Sequence, residues 1–276
     1  MPARTLVCFH AHPDDEAIAT GGVMVRAATE GHRVVLVVAT RGENGEVPDG
    51  YLQAGESLWE RRVEETHAAA EVLGVSRVEF LGYVDSGMMG TPENDAEGSF
   101  WRADVEEAAR RLAAILTEEQ ADVLTAYDEN GVYGHPDHIQ VHRVGMRAGQ
   151  LAGTPKVYMS TVNKDHFERS IRRARELNLP MPGDLGDASE IDLGVREERI
   201  TTGVDVRDYV DVKRRAMAAH GSQISETSFF LAMPPEMFSM GFGWEWFILE
   251  GARPGLAETD LFVRTYRNQG PEKIPH

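Results

Sequence analysis

The sequence has little cysteine, few basic residues relative to acidic ones, and no long apolar run. Its one cysteine, Cys8, has no partner for an intramolecular disulfide, which excludes a disulfide-stabilised scaffold and favours a cytoplasmic location. The 28 Lys and Arg residues face 45 Asp and Glu residues, and the formal charge of −17 disfavours nucleic acid and anionic membranes as partners. No run of about 20 apolar residues could span a bilayer, and the first residues do not resemble a signal peptide.

What the sequence does contain is typical of a globular protein with one large domain or two small ones. Its 276 residues are 42% apolar and 26% charged, close to the average of folded chains. Up to residue 160, short β-branched runs alternate with longer segments of helical period, which predicts an α/β fold with a doubly wound, mostly parallel, Rossmann-like sheet. The expected strands cover 4–10, 33–40, 77–82, 121–127 and 155–160. The expected helices cover 16–30, 57–74, 102–118 and 136–152.

The regularity is weaker after residue 160. We expect residues 1–160 to form the catalytic core, and residues 161–276 to form a smaller C-terminal subregion that packs on the core and shapes the substrate pocket. The expected elements there are a charged helix at 163–178, a Pro/Gly/Asp-rich loop at 180–190, a strand near 199–206, a helix at 207–220 and an aromatic-rich tail. We expect core or subunit-interface positions for the aromatic cluster, and packing roles for the methionines. These residues are Phe242, Trp244, Trp246, Phe247, Met233, Met237 and Met240.

Ionisable side chains are concentrated where the first predicted strand gives way to a helix. Residues 10–16 read His-Ala-His-Pro-Asp-Asp-Glu. Adjacent carboxylates repel each other unless a cation or a shared proton offsets the repulsion. A single aspartate at this position is explained as a helix N-cap, but the whole run indicates a site that holds a positive charge.

A second turn repeats the His-Pro-Asp theme. Residues 133–138 read Tyr-Gly-His-Pro-Asp-His, follow the predicted strand at 121–127 and open another predicted helix. Ligands in open α/β sheets bind outside the carboxyl ends of the strands, so two turns that are distant in sequence can form one site there. The repetition favours a metal site over two unrelated structural histidines.

The residues of the two turns supply a catalytic type of ligand set. One imidazole and one carboxylate from the first turn, with one imidazole from the second, leave open positions for water and substrate. This set suits Zn²⁺ and also non-haem Fe²⁺. A neighbouring carboxylate can accept a proton from an activated water, His135 can donate to an oxyanion or a leaving amine, and Asp137 can orient an imidazole. Tyr133 offers a phenol, although a loop tyrosine is commonly a packing residue.

Residues 11–16 together with 134–138 resemble the zinc-dependent de-N-acetylase family, which includes PIG-L and LmbE-like proteins. Within the family the chain is similar to mycothiol-pathway enzymes, a deacetylase of N-acetylglucosaminyl-inositol and a mycothiol S-conjugate amidase. The resemblance extends over residues 4–160 and fades beyond them. The other segments that carry it are Arg62, 73–75, 85–88 and 127–131.

The resemblance implies an LmbE-like α/β fold and one Zn²⁺ per chain. It implies that His12, Asp15 and His138 are the zinc ligands. It further implies that Asp14 is the general base and that His135 stabilises the oxyanion, with Tyr133 assisting at the carbonyl.

The resemblance also bears on substrate contacts. It implies that Arg62 and Asp85 hold sugar or inositol hydroxyls. Glu46 lies on the long loop at 41–56 and is a further candidate for substrate binding, with a solvated loop carboxylate as the alternative.

The function that these features favour is hydrolysis of an N-acetyl group from an N-acetylglucosamine-type amino sugar conjugate, a small molecule. The alternative is an amidase that cleaves a larger acyl amide such as a mycothiol S-conjugate, and against it Ala19 stands where the amidase has a lysine. A dinucleotide-binding oxidoreductase is disfavoured because the first turn lacks Gly-x-Gly-x-x-Gly. A metal-binding module without catalysis is disfavoured because the proton-transfer residues are present. A homo-oligomer is compatible with the sequence but is not indicated by it.

Overall fold

A computed structural model describes residues 2–179 and 193–262, and one seven-stranded sheet runs through them. Its strands are β1 (Thr5–His10), β2 (Arg33–Thr40), β3 (Arg77–Tyr83), β4 (Val123–Tyr127), β5 (Lys156–Thr161), β6 (Thr202–Asp205) and β7 (Trp244–Leu249). The helices of the described residues are α1 (Asp15–Ala19), α2 (Gly21–Thr29), α3 (Leu58–Leu73), α4 (Val105–Glu118), α5 (Gly131–Gly134), α6 (Pro136–Ala152), α7 (Lys164–Glu176), α8 (Val210–Ala219) and α9 (Pro235–Phe242).

The strand order places two turns side by side. The order is β3-β2-β1-β4-β5-β7-β6, with β1 to β5 parallel and β7 antiparallel to both β5 and β6. The chain moves outward from β1 through β2 to β3 and then returns to β4 on the other side of β1. Such a reversal opens a crevice at the carboxyl ends of the two neighbouring strands. The predicted doubly wound, mostly parallel α/β fold is confirmed.

The central strands are buried on both faces, which explains why they read as apolar runs rather than as alternating patterns. Leu6 and Cys8 of β1 belong to the core on one face, and Val7 and Phe9 belong to the core on the other. Helices α2, α3 and α8 contribute to the first core, and α4 and α6 contribute to the second. Both cores converge on the strands that carry the two turns.

The structure departs from the expected elements at two places. The helix expected at 16–30 is divided into α1 and α2 at Thr20, whose backbone is not helical. The aromatic-rich tail forms α9 and the strand β7, neither of which the sequence predicted. The loop expected at 180–190 lies outside the described residues.

The C-terminal region is joined to α2 through the buried carboxylate of Glu245. Lys213 Nζ of α8 lies 2.6 Å from Glu245 Oε1 of β7, and both side chains are almost wholly buried. The two oxygens of Glu245 also accept hydrogen bonds from the backbone N–H groups of Gly22 and Val23 in the first turn of α2. Because a helix N-terminus favours negative charge, Glu245 stabilises α2 from more than 200 residues away. The functional division of the chain at residue 160 stays a prediction.

None of the helices in the described ranges combines the length and the apolar character that crossing a membrane requires.

Candidate active site

The two His-Pro-Asp turns lie together because they follow β1 and β4, which are hydrogen-bonded neighbours. Asp15 Oδ2 is 3.4 Å from His12 Nδ1 and 3.3 Å from His138 Nε2. The rings of His12 and His138 have their centroids 5.4 Å apart. The structure therefore brings together the three predicted metal ligands.

The first turn holds Asp14 in an uncommon backbone conformation. Its φ is 103°, a value that costs a residue with a side chain about 1–3 kcal/mol. The Asp14 N–H donates to Glu16 Oε2 at 3.0 Å, and Glu16 Oε1 is 2.6 Å from His220 Nε2. Glu16 and His220 are wholly buried, so the C-terminal region supports the strained turn through one ion pair.

The second turn begins α6. His135 is the N-cap, and its Nδ1 accepts the backbone N–H of Asp137 at 3.1 Å. Asp137 is wholly buried and accepts hydrogen bonds from the N–H and the hydroxyl of Ser86. His12 Nε2 lies 3.1 Å from Asp137 Oδ2, which leaves the Nδ1 atom of His12 free to face Asp15. Asp137 thereby orients His12.

Aromatic rings fix the position of His138. Its ring stacks on Tyr127 with a centroid separation of 4.5 Å and an interplanar angle of 17°. The Tyr133 hydroxyl is 3.4 Å from His138 Nε2, so the predicted phenol does lie beside the metal ligands. Tyr133 is half exposed, whereas His138 is buried.

The cluster fits a divalent metal ion. Two donors that each lie about 2.0–2.1 Å from one tetrahedral zinc ion are separated by about 3.3–3.4 Å, which matches the two distances from Asp15 Oδ2. His12, His135 and His138 also each offer a ligand atom within 4.8 Å of the others, as do His12, Asp85 and Asp137. The described residues thus include a His/Asp group able to bind a metal.

The electrostatics of the cluster favour a cation. Although burial alone opposes its charge, the pKa of Asp15 lies well below its usual value because His138 and His12 are so close. Burial also opposes the protonation of His12, but Asp137, Asp15 and Asp85 hold its pKa well above 6.5. The carboxylates thus attract a proton to the position that a metal ion takes.

Two further groups of the cluster have pKa values that differ from their ordinary ones. Burial raises the pKa of Asp14 to about 6, against the opposing effect of the Arg62 guanidinium. Burial, assisted by His12 and His138, lowers the pKa of His135 to about 4. The raised pKa brings Asp14 closer to neutral pH, as a general base requires, and the lowered pKa keeps the His135 ring neutral, so that it can donate a hydrogen bond without carrying a charge.

Two of the three residues predicted to contact substrate, Arg62 and Asp85, lie beside the His/Asp cluster, and the third, Glu46, does not. Arg62 is buried and donates to the carbonyl oxygens of Pro13 and Gly42, with Asp14 Oδ2 at 3.4 Å. Asp85 Oδ1 lies 3.6 Å from His12 Nε2, so both residues belong to the cluster. Glu46 is on an exposed loop, and within the part of the chain that the structure describes its carboxylate makes no hydrogen bond to the cluster.

A cavity of about 600 Å³ opens beside the predicted metal ligands. Asp14, Asp15, Tyr133 and His138 line one end of it. The rest is mainly apolar and is built by α7, α9, β7 and the segment before α9. Phe247 is buried in the core, as expected. The other three tail aromatics, Phe242, Trp244 and Trp246, line this cavity, a position that the sequence did not predict.

Comparison with known proteins identifies the family. The model of the GlcNAc-PI de-N-acetylase (PIG-L) family matches residues 7–149, just over half of the chain and both His-Pro-Asp turns. The chain belongs to this de-N-acetylase family. The predicted family resemblance is confirmed.

Two relatives that align with nearly the whole of this chain are both named 1D-myo-inositol 2-acetamido-2-deoxy-alpha-D-glucopyranoside deacetylase. The protein of that name from Thermomonospora curvata is 40% identical, over 92% of this chain and 94% of its own. The one from Streptomyces avermitilis is 41% identical, over 95% of this chain and 97% of its own.

Solved structures share the fold of this family member. N,N'-diacetylchitobiose deacetylase from Pyrococcus horikoshii aligns with a TM-score of 0.60 and 21% identity, over 90% of this chain and 84% of that chain. A 4-carboxy-2-hydroxymuconate hydratase from Pseudomonas putida also aligns with a TM-score of 0.60, at 18% identity, over 97% of this chain and 100% of that chain. Because a hydratase has the same fold, the fold does not decide the reaction.

Sequence reasoning missed the partners that hold the site in place. His220 and Ser86 lie outside both turns, and neither has a local signal that marks it as a partner of Glu16 or Asp137. The burial of Glu16 had a weak signal, since it is the last of three consecutive acidic residues at a predicted helix start.

Proposed function

We propose that this chain is a zinc-dependent N-deacetylase that acts on an N-acetylglucosamine-type amino sugar conjugate. The observation that carries the proposal is the position of Asp15 Oδ2, which lies at tetrahedral donor spacing from both His12 Nδ1 and His138 Nε2. Membership of the de-N-acetylase family and the names of the full-length relatives support the reaction.

His12, Asp15 and His138 would hold the metal. Zn²⁺ bound there supplies an acidified water and a Lewis acid for the carbonyl oxygen. Asp137 keeps the Nε2 proton of His12 in a hydrogen bond, so that Nδ1 is the free donor atom. Fe²⁺ suits the same three ligands, and metal analysis of the purified protein distinguishes the two.

Asp14 is the general base in this proposal. It lines the cavity next to Asp15, and Arg62 is the one cation within 4 Å of its carboxylate in the described residues. A base works best when its pKa is near the operating pH, and burial raises the pKa of Asp14 to about 6. The Asp14 carboxylate lines the cavity with the backbone at a φ of 103°, and a helical backbone at this position would direct the side chain differently.

His135 and Tyr133 are the proposed hydrogen-bond donors to the reacting amide. His135 Nδ1 accepts a backbone N–H, so the neutral ring carries its proton on Nε2. With a pKa of about 4, His135 is uncharged at pH 7 and donates a hydrogen bond to an oxyanion or to the leaving amine. Although Tyr133 is half exposed, desolvation of its phenol group and the nearby Asp15 carboxylate raise its pKa well above 10, so its hydroxyl keeps its proton.

Arg62, Asp85 and Glu46 are proposed to face the sugar. Arg62 Nε is buried and lacks a hydrogen-bond partner among the described residues, so a donor is available on that side. Asp85 is an ionised acceptor, since His12 and the Gly87 N–H keep its pKa low despite burial. Glu46 reaches a substrate only if the loop that carries it contacts the sugar.

The proposed function is tested by supplying the zinc-loaded protein with N-acetylglucosaminyl-inositol and following the new primary amine with fluorescamine. We expect one amine and one acetate per turnover, and loss of turnover when a chelator removes the metal. No amine release from this compound or from a panel of N-acetylated sugars, by protein with full metal content, would overturn the proposal.

A further inference from the structure

We propose that the apolar part of the cavity binds the acyl group of the amide substrate, and that this chain accepts acyl groups that are apolar and larger than acetyl. The inference rests on the proposed function, because it places the reacting amide at Asp14 and His138. It deepens that function by naming the chemical class of the group that is removed.

The size of the cavity is the first argument. Its volume of about 600 Å³ lies within the range of about 300–1,000 Å³ that holds drug-sized ligands. An acetyl group has a single methyl to place there and leaves nearly all of this volume unused. The side chains that form the apolar wall include Phe229, Phe230, Met240, Phe242, Trp244 and Trp246.

Most of the polar side chains in the same wall already have hydrogen-bond partners within the protein. Thr161 donates to Asp128 at 2.5 Å, and His166 Nε2 lies 3.0 Å from the carbonyl oxygen of Met240. The Lys213 and Glu245 side chains neutralise each other, and Glu245 also accepts two backbone N–H groups. A sugar or inositol placed against this wall would bury hydroxyl groups without partners, at a cost that an apolar group does not have.

The placement of the catalytic candidates assigns the cavity to the acyl side. Asp14, Tyr133 and His138 line the cavity, whereas His135 and Asp85 do not. Asp85 with Arg62 provides the charged groups suited to the hydroxyls of the sugar, and Asp85 and His135 both lie beside His12. The sugar therefore faces this group, and the acyl substituent faces the apolar wall.

The reaction itself is ordinary amide hydrolysis. The water oxygen bonds to the amide carbon to give a tetrahedral oxyanion, the C–N bond then breaks, the acyl part leaves as a carboxylate, and both protons of the water end on the nitrogen, which leaves as an ammonium group. If the cavity binds this acyl part, kcat/KM rises with each added methylene by up to about fourfold, the factor for burying one CH₂ group, until the cavity is filled.

The test measures binding and turnover separately on the zinc-loaded protein. Calorimetry follows the affinity for straight-chain carboxylates from acetate to octanoate, which are the acyl products of hydrolysis. The fluorescamine assay follows N-acyl glucosamine conjugates with the same acyl series. Met240→Gln places an amide in the wall at similar side-chain length, and Met240→Leu keeps the wall apolar. Leu151→Gln makes a comparable change on a partly exposed residue of α6, outside the cavity wall.

We expect the affinity for carboxylates to increase with chain length in the wild type, in Met240→Leu and in Leu151→Gln. In Met240→Gln, we expect the gain in affinity from acetate to octanoate to be several-fold smaller. Affinity that is flat with chain length, or a Met240→Gln slope equal to that of the wild type, overturns the inference. Amine release confined to acetyl conjugates leaves the proposed function intact and overturns the acyl assignment. A rising affinity without hydrolysis of any amide supports the apolar subsite and removes the proposed function.

Discussion

The two His-Pro-Asp turns have the same sequence but place their aspartates differently. Asp14, in the turn after β1, has a φ of 103° and lines the cavity. Asp137, in the turn after β4, lies in the first turn of α6 and is wholly buried. The histidines differ as well. His12 directs Nδ1 toward Asp15, and His135 uses Nδ1 to cap α6. In the proposed function, one tripeptide would thus provide a metal ligand with a base in the first turn, and a helix cap with an orienting carboxylate in the second.

The difference arises from the groups opposite each turn. Glu16 and His220 hold the backbone of the first turn away from helical geometry, so the Asp14 carboxylate is left with one weak contact to Arg62. Ser86 and His12 use the Asp137 carboxylate fully. A carboxylate without strong partners is available to accept a proton, and a carboxylate with several is a positioning group.

Neutralising the aspartate of the first turn should give the largest effect. We expect Asp14→Asn to lower kcat by about 10²–10⁴ because an amide cannot accept the proton, with the zinc content unchanged. Amine release and metal analysis on the same preparation measure both. Wild-type kcat in fully metallated Asp14→Asn would show that the base lies elsewhere.

Removal of His220 should weaken the support of the first turn. We expect His220→Leu to lower the free energy of unfolding by about 3–5 kcal/mol, because it leaves the buried Glu16 carboxylate unpaired. Denaturant unfolding measures the loss. The double variant Glu16→Gln with His220→Gln removes both charges and should recover most of it; an equal loss in both variants would assign the effect to packing.

A change in the second turn should lower the affinity for zinc rather than remove the proton acceptor. We expect Asp137→Asn to weaken zinc affinity by about 10- to 100-fold, because His12 loses the carboxylate that orients it. Competition with a chromophoric chelator measures the affinity. Asp104→Asn, at the exposed N-cap of α4, is the matched control and should bind zinc like the wild type. Unchanged affinity in Asp137→Asn would contradict the orienting role.

The support of the first turn should also depend on pH. Burial lowers the pKa of His220, but Glu16, with smaller effects of Asp14 and Glu65, raises it above 6.5. A raised pKa means that the stabilisation is complete below 6.5 and is lost as the pH rises through the folded-state value. We expect the stability difference between wild type and His220→Gln to be larger at about pH 6 than at about pH 9, because protonated His220 attracts the Glu16 carboxylate only at the lower pH. Denaturant unfolding at the two pH values measures this, and an equal difference at both would show that His220 is not charged in the folded protein.

Loss of the helix cap at His135 should have the smallest effect on stability. We expect His135→Ala to lower the free energy of unfolding by about 1 kcal/mol through loss of the N-cap acceptor, and His135→Asn to restore it. Turnover should stay low in both variants, because neither side chain supplies the Nε2 proton. Recovery of turnover in His135→Asn would reduce the role of His135 to capping.

Much of this arrangement could be predicted from local sequence. The apolar runs of β1 and β2 and the Ala-rich helices between strands predicted the parallel part of the sheet, since both faces of these strands are covered. The break at Thr20 could not be predicted, because 16–30 has helical period throughout. The strand β7 could not be predicted either, because its aromatic residues also suit core or interface positions, and the antiparallel pairing with β5 depends on contacts far along the chain.

The succession of strands along the chain and the residues at their carboxyl ends follow from the sequence alone, because periodicity and chain connectivity act over short distances. That information is sufficient to bring His12, Asp15 and His138 to one edge of a sheet. The separate roles of two identical His-Pro-Asp turns, and the apolar cavity beside them, depend on the tertiary structure. Partners such as His220, Ser86 and Trp246 come from distant segments, and their burial together with the site sets both its charges and its shape.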